Sequence, residues 1–441
     1  MSVHPLDLST RLIDSGVADT APNRTTQELS ELADGVALVE SFSHVVVVDT
    51  GDGLVLFDTS SAVTGARVME ALRSWSNQPV HSVVYTHGHL DHVGGSGHVA
   101  ADAEARGHRR PRVIGHSLID ARFDRYELTS GYNQVINARQ FGGAATDAAT
   151  AAAERPFLPP GTLRPDLTYE RSLSERIGAE EFVFRHCRGE TDDHTWTWIP
   201  ERKMICAGDQ FIWMFPNCGN PQKVQRYPSE WAASLREMAA CEPELFVPAH
   251  GLPITGRDRI AHCLDTVATA LEELVAQVLD AMNAGASLDD IVHGVSVPEE
   301  TLALPYLRPM YDEPEFVIRN IWRLYGGWWD GNPARLKPPA DDAIGAEVVD
   351  LAGGVDAVID RATARSAEGD HRLACQLIEY ALAAEPESHA VHEARATIYT
   401  ARRAAESSLM AKGIFRSATA DSEAALSGET PETKMVLNLG S

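Results

Sequence analysis

The chain has 441 residues, 44% of them hydrophobic and 23% charged, a globular composition long enough for two or three domains with a sizeable core. Its formal net charge of −25 argues against a nucleic-acid partner, because phosphate backbones attract basic surfaces. The first residues carry no basic patch or apolar run and no stretch of about 18 apolar residues occurs anywhere, so neither a leader nor a membrane span is expected and the location is read as cytoplasmic.

Residues 36–58 read as strands. Ser43 to Thr50 is rich in β-branched residues, Gly51-Asp52-Gly53 is a turn signal, and Leu54 to Asp58 returns as a second strand. Ala62 to Trp75 has helical spacing, Val80 to Tyr85 is a short apolar strand, Ala100 to Arg106 is helical, and Val113 to Gly115 is a further strand. This order predicts a layered α/β domain. Residues 117–170 read as a long insertion over the site, with an alanine-rich stretch at Ala144 to Ala153 and prolines after it. Strands resume at Glu181 to Arg185, Thr195 to Ile199, Lys203 to Ala207 and Glu244 to Pro248. Beyond residue 260 the pattern turns helical: Leu271, Leu274, Val275, Val278 and Leu279 share one face. Asp370 to Ala404 reads as a helix pair broken near Glu385-Pro386-Glu387-Ser388. The six cysteines are scattered with no C-x-x-C pair, and are read as reduced and buried.

The chemistry concentrates at Thr86-His87-Gly88-His89-Leu90-Asp91-His92, directly after a strand. In extended or turning backbone, residues two apart project to one side, so His87 and His89 can grip one ion while Asp91 and His92 face a second. Imidazole and carboxylate suit zinc, and also manganese or iron.

This segment resembles the signature of the metallo-β-lactamase superfamily. The resemblance implies an αββα sandwich at residues 1–260 followed by an all-α, dimerisation-like domain at 261–425; the polar residues 426–441 are read as a flexible tail. Its remaining ligands are sought in order. Arg188-Gly189-Glu190-Thr191-Asp192-Asp193-His194 resembles the family's P-G-H-T-x-x-H element, Ala207-Gly208-Asp209 its G-D element, and Pro248-Ala249-His250-Gly251 the element with the last histidine. The resemblance implies His87, His89 and Glu190 for one metal, Asp91, His92 and His250 for the other, and Asp209 as the bridge. His194 is the alternative to Glu190 as ligand; otherwise it joins Asp91 and Asp209 as a catalytic candidate. Asp58 is read equally as a partner orienting a ligand or as the polar end of a strand.

A glutamate at position 190 resembles the alkylsulfatase branch, as does Tyr325-Gly326-Gly327-Trp328-Trp329-Asp330-Gly331-Asn332-Pro333. The helical stretch from Leu351 resembles that branch's dimerisation domain, which implies a homodimer. The branch's sulfate-cradling asparagine is matched by Asn217, while its arginine has no direct counterpart and Lys223 and Arg226 are the candidates to serve in its place; Asn137, Arg139 and Arg319 are further candidates for an anionic small-molecule substrate. The implied activity is hydrolysis of a sulfate ester by a hydroxide generated between two divalent ions, zinc first. The same ligands also suit hydrolysis of another ester, a lactone or an amide such as a β-lactam, or an iron-dependent redox protein.

Overall fold

A computed structural model describes residues 3–143 and 156–428. The alanine-rich stretch and most of the expected flexible tail lie outside the described residues. The chain forms two units: residues 3–128 with 158–328, and residues 129–143, 156–157 and 329–428.

The first unit is built on two sheets. One has the order β1 (Leu29–Ala33), β2 (Val36–Val39), β3 (Val45–Asp49), β4 (Leu54–Phe57), β5 (Val80–Val84), β6 (Arg112–His116) and β7 (Leu167–Tyr169). It is antiparallel as far as β4 and parallel from β4 onward. The other contains β8 (Ser172–Ile177), β9 (Glu180–His186), β10 (Thr195–Ile199), β11 (Met204–Gly208), β12 (Leu245–Pro248) and β13 (Ile254–Thr255), with β11 and β12 parallel.

The period-two alternation of the strands makes the layers. Val46 and Val48 of β3 and Phe57 of β4 pack with Phe184 of β9, Cys206 of β11 and Val247 of β12 in a core between the sheets. The alternate residues of the second sheet, Ile205, Ala207 and Phe246, turn to a separate helical core. Both faces of each sheet are therefore covered, which is why these strands read as continuous apolar runs.

The helices follow from the chain order. α1 (Pro5–Ser15) lies beside β13, while α2 (Gly65–Trp75) and α4 (Ser96–Ala105) pack on the first sheet, with the single turn α3 (Leu90–Val93) between them. α5 (Leu118–Leu128) ends the first segment, and α6 (Ser130–Gln140) belongs to the second unit. α7 (Pro228–Ala240) and α8 (Arg257–Asn283) pack on each other over the second sheet, followed by α9 (Leu288–Gly294), α10 (Glu299–Leu302) and α11 (Pro314–Gly326). The expected domain boundary at 260 cuts through α8. That helix and α9 to α11 sit in the first unit, because Ile260, Leu264, Leu271 and Leu274 of α8 and Val317 and Ile321 of α11 complete the core begun by the second sheet.

In the second unit, α12 (Asp341–Ala352), α13 (Val355–Ala367), α14 (His371–Ala384), α15 (His389–Ala404) and α16 (Leu409–Ser427) pack around Ala362, Ile378, Val391 and Ile398. The break between α14 and α15 falls at Glu385 to Ser388, where Pro386 cannot continue a helix. No helix among the described residues is long and apolar enough to cross a membrane.

Candidate metal centre

Four strand ends supply the site. β5 runs into Thr86 and His87, and α3 then presents Asp91 and His92. The connection from β9 to β10 carries Glu190 and His194, β11 ends at Asp209, and β12 ends just before His250. Gly208 delivers Asp209 with a left-handed backbone, φ 56°. A Cβ there would stand 2.7 Å from both His194 Nε2 and the Thr86 Cβ, so only glycine lets the two strand ends close on each other.

Two clusters of ligand-type atoms result. His87, His89, Glu190 and Asp209 each offer one atom within 4.8 Å of the others, as do Asp91, His92 and His250. Asp209 reaches both: Oδ1 lies 3.4 Å from His92 Nε2, and Oδ2 lies 3.6 Å from His250 Nε2 and 3.9 Å from His87 Nε2. Asp91 lies 3.3 Å from His250 Nε2 and 3.5 Å from His92 Nε2. Glu190 lies 3.7 Å from His89 Nδ1. All seven sequence candidates for metal ligation are thus brought together.

The ring orientations are set from behind. Asp58 accepts the backbone N–H of Thr86 at 2.8 Å and the Thr86 hydroxyl at 2.7 Å, and its Oδ2 lies 2.7 Å from His92 Nδ1. The Thr86 hydroxyl, its proton committed to Asp58, faces His87 Nδ1 at 3.1 Å. Both Nδ1 atoms are placed to donate, which leaves Nε2 of His87 and His92 as lone-pair donors aimed into the site.

The electrostatics fit cations at this position. Burial, joined by the neighbouring His92 and His89, holds His87 well below the ordinary histidine range. Burial would also depress His92, but the carboxylates of Asp209, Asp91 and Asp58 raise it. Burial and the charge of Asp209 raise Glu190 against the pull of Arg226. Buried His92 Nε2, Asp209 Oδ1 and Glu190 Oε2 make no hydrogen bond among the described residues. Buried acceptors left without donors are costly, and a divalent ion between them is what satisfies such a donor set.

His194 is placed differently. Its Nε2 accepts the backbone N–H of Asp209 at 3.0 Å and its Nδ1 lies 3.5 Å from Cys187 Sγ, so its lone pair is already used within the protein. It stacks on His87 with ring centroids 5.0 Å apart.

The substrate candidates divide. Asn217 and Arg226 are buried and both donate to Glu190 Oε1, at 2.5 and 2.7 Å. Lys223 is close enough to Asp91 and Glu190 to feel their charges, and burial pushes it down to about 8. Arg319 lies on the exposed side of α11, paired with Glu315 at 3.0 Å. Asn137 and Arg139 lie on α6 in the second unit. Sequence reasoning passed over Thr86 as an orienting group, and also Tyr311, which is pushed up by burial and by the charge of Glu190. Tyr311 follows no motif. Thr86 opens the histidine signature, where a hydroxyl one residue before a ligand is the visible signal.

Residues 38–250 match the model of the metallo-beta-lactamase superfamily, and residues 287–424 match that of the alkyl sulfatase dimerisation domain. A linear primary-alkylsulfatase of a Pseudomonas strain is 27% identical over 350 residues, covering 76% of this chain and 66% of the relative. An (R)-specific secondary-alkylsulfatase of Pseudomonas sp. is 26% identical over 369 residues, covering 78% and 54%. The chain therefore spans less than two thirds of the length of either relative. In fold it resembles the structure of a stereoselective inverting sec-alkylsulfatase of Pseudomonas sp., with a TM-score of 0.79 at 21% identity over 93% of this chain and 69% of the other.

Proposed function

The chain carries a metallo-β-lactamase superfamily domain joined to an alkyl sulfatase dimerisation domain, and on that footing we propose that it is a homodimeric, dinuclear-metal hydrolase of small sulfate esters. The observation that carries the metal reading is the pair of ligand clusters meeting at Asp209, with acceptor atoms that the protein itself leaves unsatisfied. His87, His89 and Glu190 would hold one ion and Asp91, His92 and His250 the other, with Asp209 within reach of both clusters. The mixed nitrogen and oxygen donors suit zinc, with manganese or iron as substitutes. Two divalent ions held there supply Lewis acidity toward an ester oxygen and make a water ionisable near neutral pH.

The protein residues do the rest. Asp58 fixes the tautomer of His92 directly and that of His87 through Thr86. Arg226 and Asn217 hold one oxygen of Glu190, which leaves the other for an ion. Arg226 and Lys223 set two cations beside Glu190, which favours an anionic head group; this, together with the activities named for the relatives, supports a sulfate ester over a neutral ester or lactam. His194 accepts the backbone N–H of Asp209 and so positions that ligand without being a ligand itself. The test is metal content by elemental analysis alongside a panel of alkyl sulfates, aryl esters and β-lactams. Two ions per chain with turnover confined to the sulfate esters is the expected result, and a metal-free active protein would refute it.

A further inference from the structure

Behind the turn that carries His87 and His89 stands a buried ion pair that the proposed chemistry leaves unused. Arg122 belongs to the buried stripe of α5 with Ile119, Phe123 and Tyr126. Its side chain is 3% exposed and that of Asp193 is 0% exposed. Arg122 Nε donates to Asp193 Oδ2 at 2.7 Å, and Nη2 donates to Asp192. The same Asp193 oxygen accepts the backbone N–H of Gly88 at 3.1 Å.

Gly88 is the residue between the two histidines, so one carboxylate oxygen ties a guanidinium to the peptide unit that spaces them. The fit is close. A Cβ on Gly88 would lie 2.7 Å from Arg122 Cδ and 3.0 Å from Asp193 Oδ2. A buried ion pair is a poor device for stability alone, since desolvation offsets much of the attraction. A fixed anchor for a backbone turn is a use that repays its retention.

We infer that Arg122 and Asp193 are positioning residues that hold the His87-Gly88-His89 turn in its ligand-presenting form before any ion arrives. The purpose of the turn rests on the metal-hydrolase reading; the existence of the clamp does not. With the clamp broken, an ion must order the turn itself, and affinity at the His87, His89 and Glu190 cluster falls by about 10- to 100-fold, the range seen for supports of metal ligands. The Asp91, His92 and His250 cluster, oriented by Asp58, keeps its ion.

Hydrogen exchange on the metal-free full chain reads the clamp without invoking an ion. In Arg122→Gln and Asp193→Asn, exchange in a peptide covering residues 86–93 should quicken by about tenfold or more, while a peptide over 204–208 keeps its wild-type rate. The double variant should exchange no faster than the faster single variant, because both break one assembly. Wild-type exchange at 86–93 in the single variants, or additive acceleration in the double, overturns the inference. Arg122→Lys keeps the charge without the fork and should restore part of the protection; it and Asp193→Asn carry the test if Arg122→Gln does not fold. Zinc titration of the same proteins should then show the variants losing tight binding of one ion of two. A wild-type chain that binds no zinc would sink the metal reading, and the exchange data would still decide the clamp.

Discussion

Replacing Asp58 with asparagine should cripple metal binding while leaving the fold in place. Asp58 is 1% exposed and has a left-handed backbone, φ 63°. Asparagine tolerates that conformation as aspartate does, so the substitution tests the side chain alone. The carboxylate serves three polar groups, at 2.7 to 2.8 Å: the Thr86 N–H, the Thr86 hydroxyl and His92 Nδ1. An asparagine can keep its oxygen on the Thr86 N–H only by turning its NH₂ toward the hydroxyl and His92. His92 Nδ1 must then accept, and the ring proton moves to Nε2. That atom faces Asp91 and Asp209, at 3.5 and 3.4 Å, so its lone pair leaves the site. Loss of a carboxylate behind a metal-binding histidine typically costs about 10- to 100-fold in affinity, or about 1.4 to 2.7 kcal/mol. Competition with a chromophoric zinc chelator measures this, with thermal unfolding of the metal-free protein as the control. A folded Asp58→Asn protein with unchanged zinc affinity would refute the tautomer argument.

Glu190→Gln should lose tight binding of one ion, whereas His194→Ala should retain both and be less stable to urea by about 1–3 kcal/mol, the cost of leaving the buried Asp209 N–H without an acceptor; metal titration and urea melts showing the reverse pattern would exchange the two roles. Asp312 accepts the N–H groups of Gly219 and Glu313, yet burial raises its carboxyl to about 7. Between the unfolded carboxyl range, about 4, and that value, the folded chain holds a proton that the unfolded chain lacks. This group therefore makes stability fall as pH rises through the window. Urea midpoints across the window should fall less steeply for Asp312→Asn than for wild type, and identical slopes would contradict the reading. Sedimentation at micromolar concentration should give a dimer, and a strict monomer would remove that part of the proposal.

Much of the site was readable because its ligands sit at strand ends, where local patterns are strong. An apolar run followed by H-x-H-x-D-H can be read without knowing what packs against it, and the same holds for Ala207-Gly208-Asp209 after β11. The roles of Asn217, Arg226 and His194 could not be read that way. Each depends on which neighbour claims the side chain first, and Glu190 and the Asp209 backbone are brought near only by the closing of the second sheet. Arg319 shows the opposite case: a charge at plausible spacing that its helix turns to solvent. Arg122 left a trace in its position on the buried stripe of α5, but an arginine three residues after Ile119 and one before Phe123 has no local partner to reveal its use. The packing of α8 against the second sheet, which puts the edge of the compact unit beyond residue 260, was hidden for a related reason. The apolar face of α8 is visible in the sequence, but not the sheet it covers.

The proposed activity is hydrolysis of sulfate esters with two bound ions. Its most direct test is release of inorganic sulfate from alkyl sulfates of graded chain length by the metal-replete protein, with the ion content of the same sample measured. About two ions per chain are expected from the two ligand clusters, with sulfate released in step with alcohol, lost on chelation and restored by zinc or manganese. A sample carrying both ions that releases sulfate from none of the esters would contradict it.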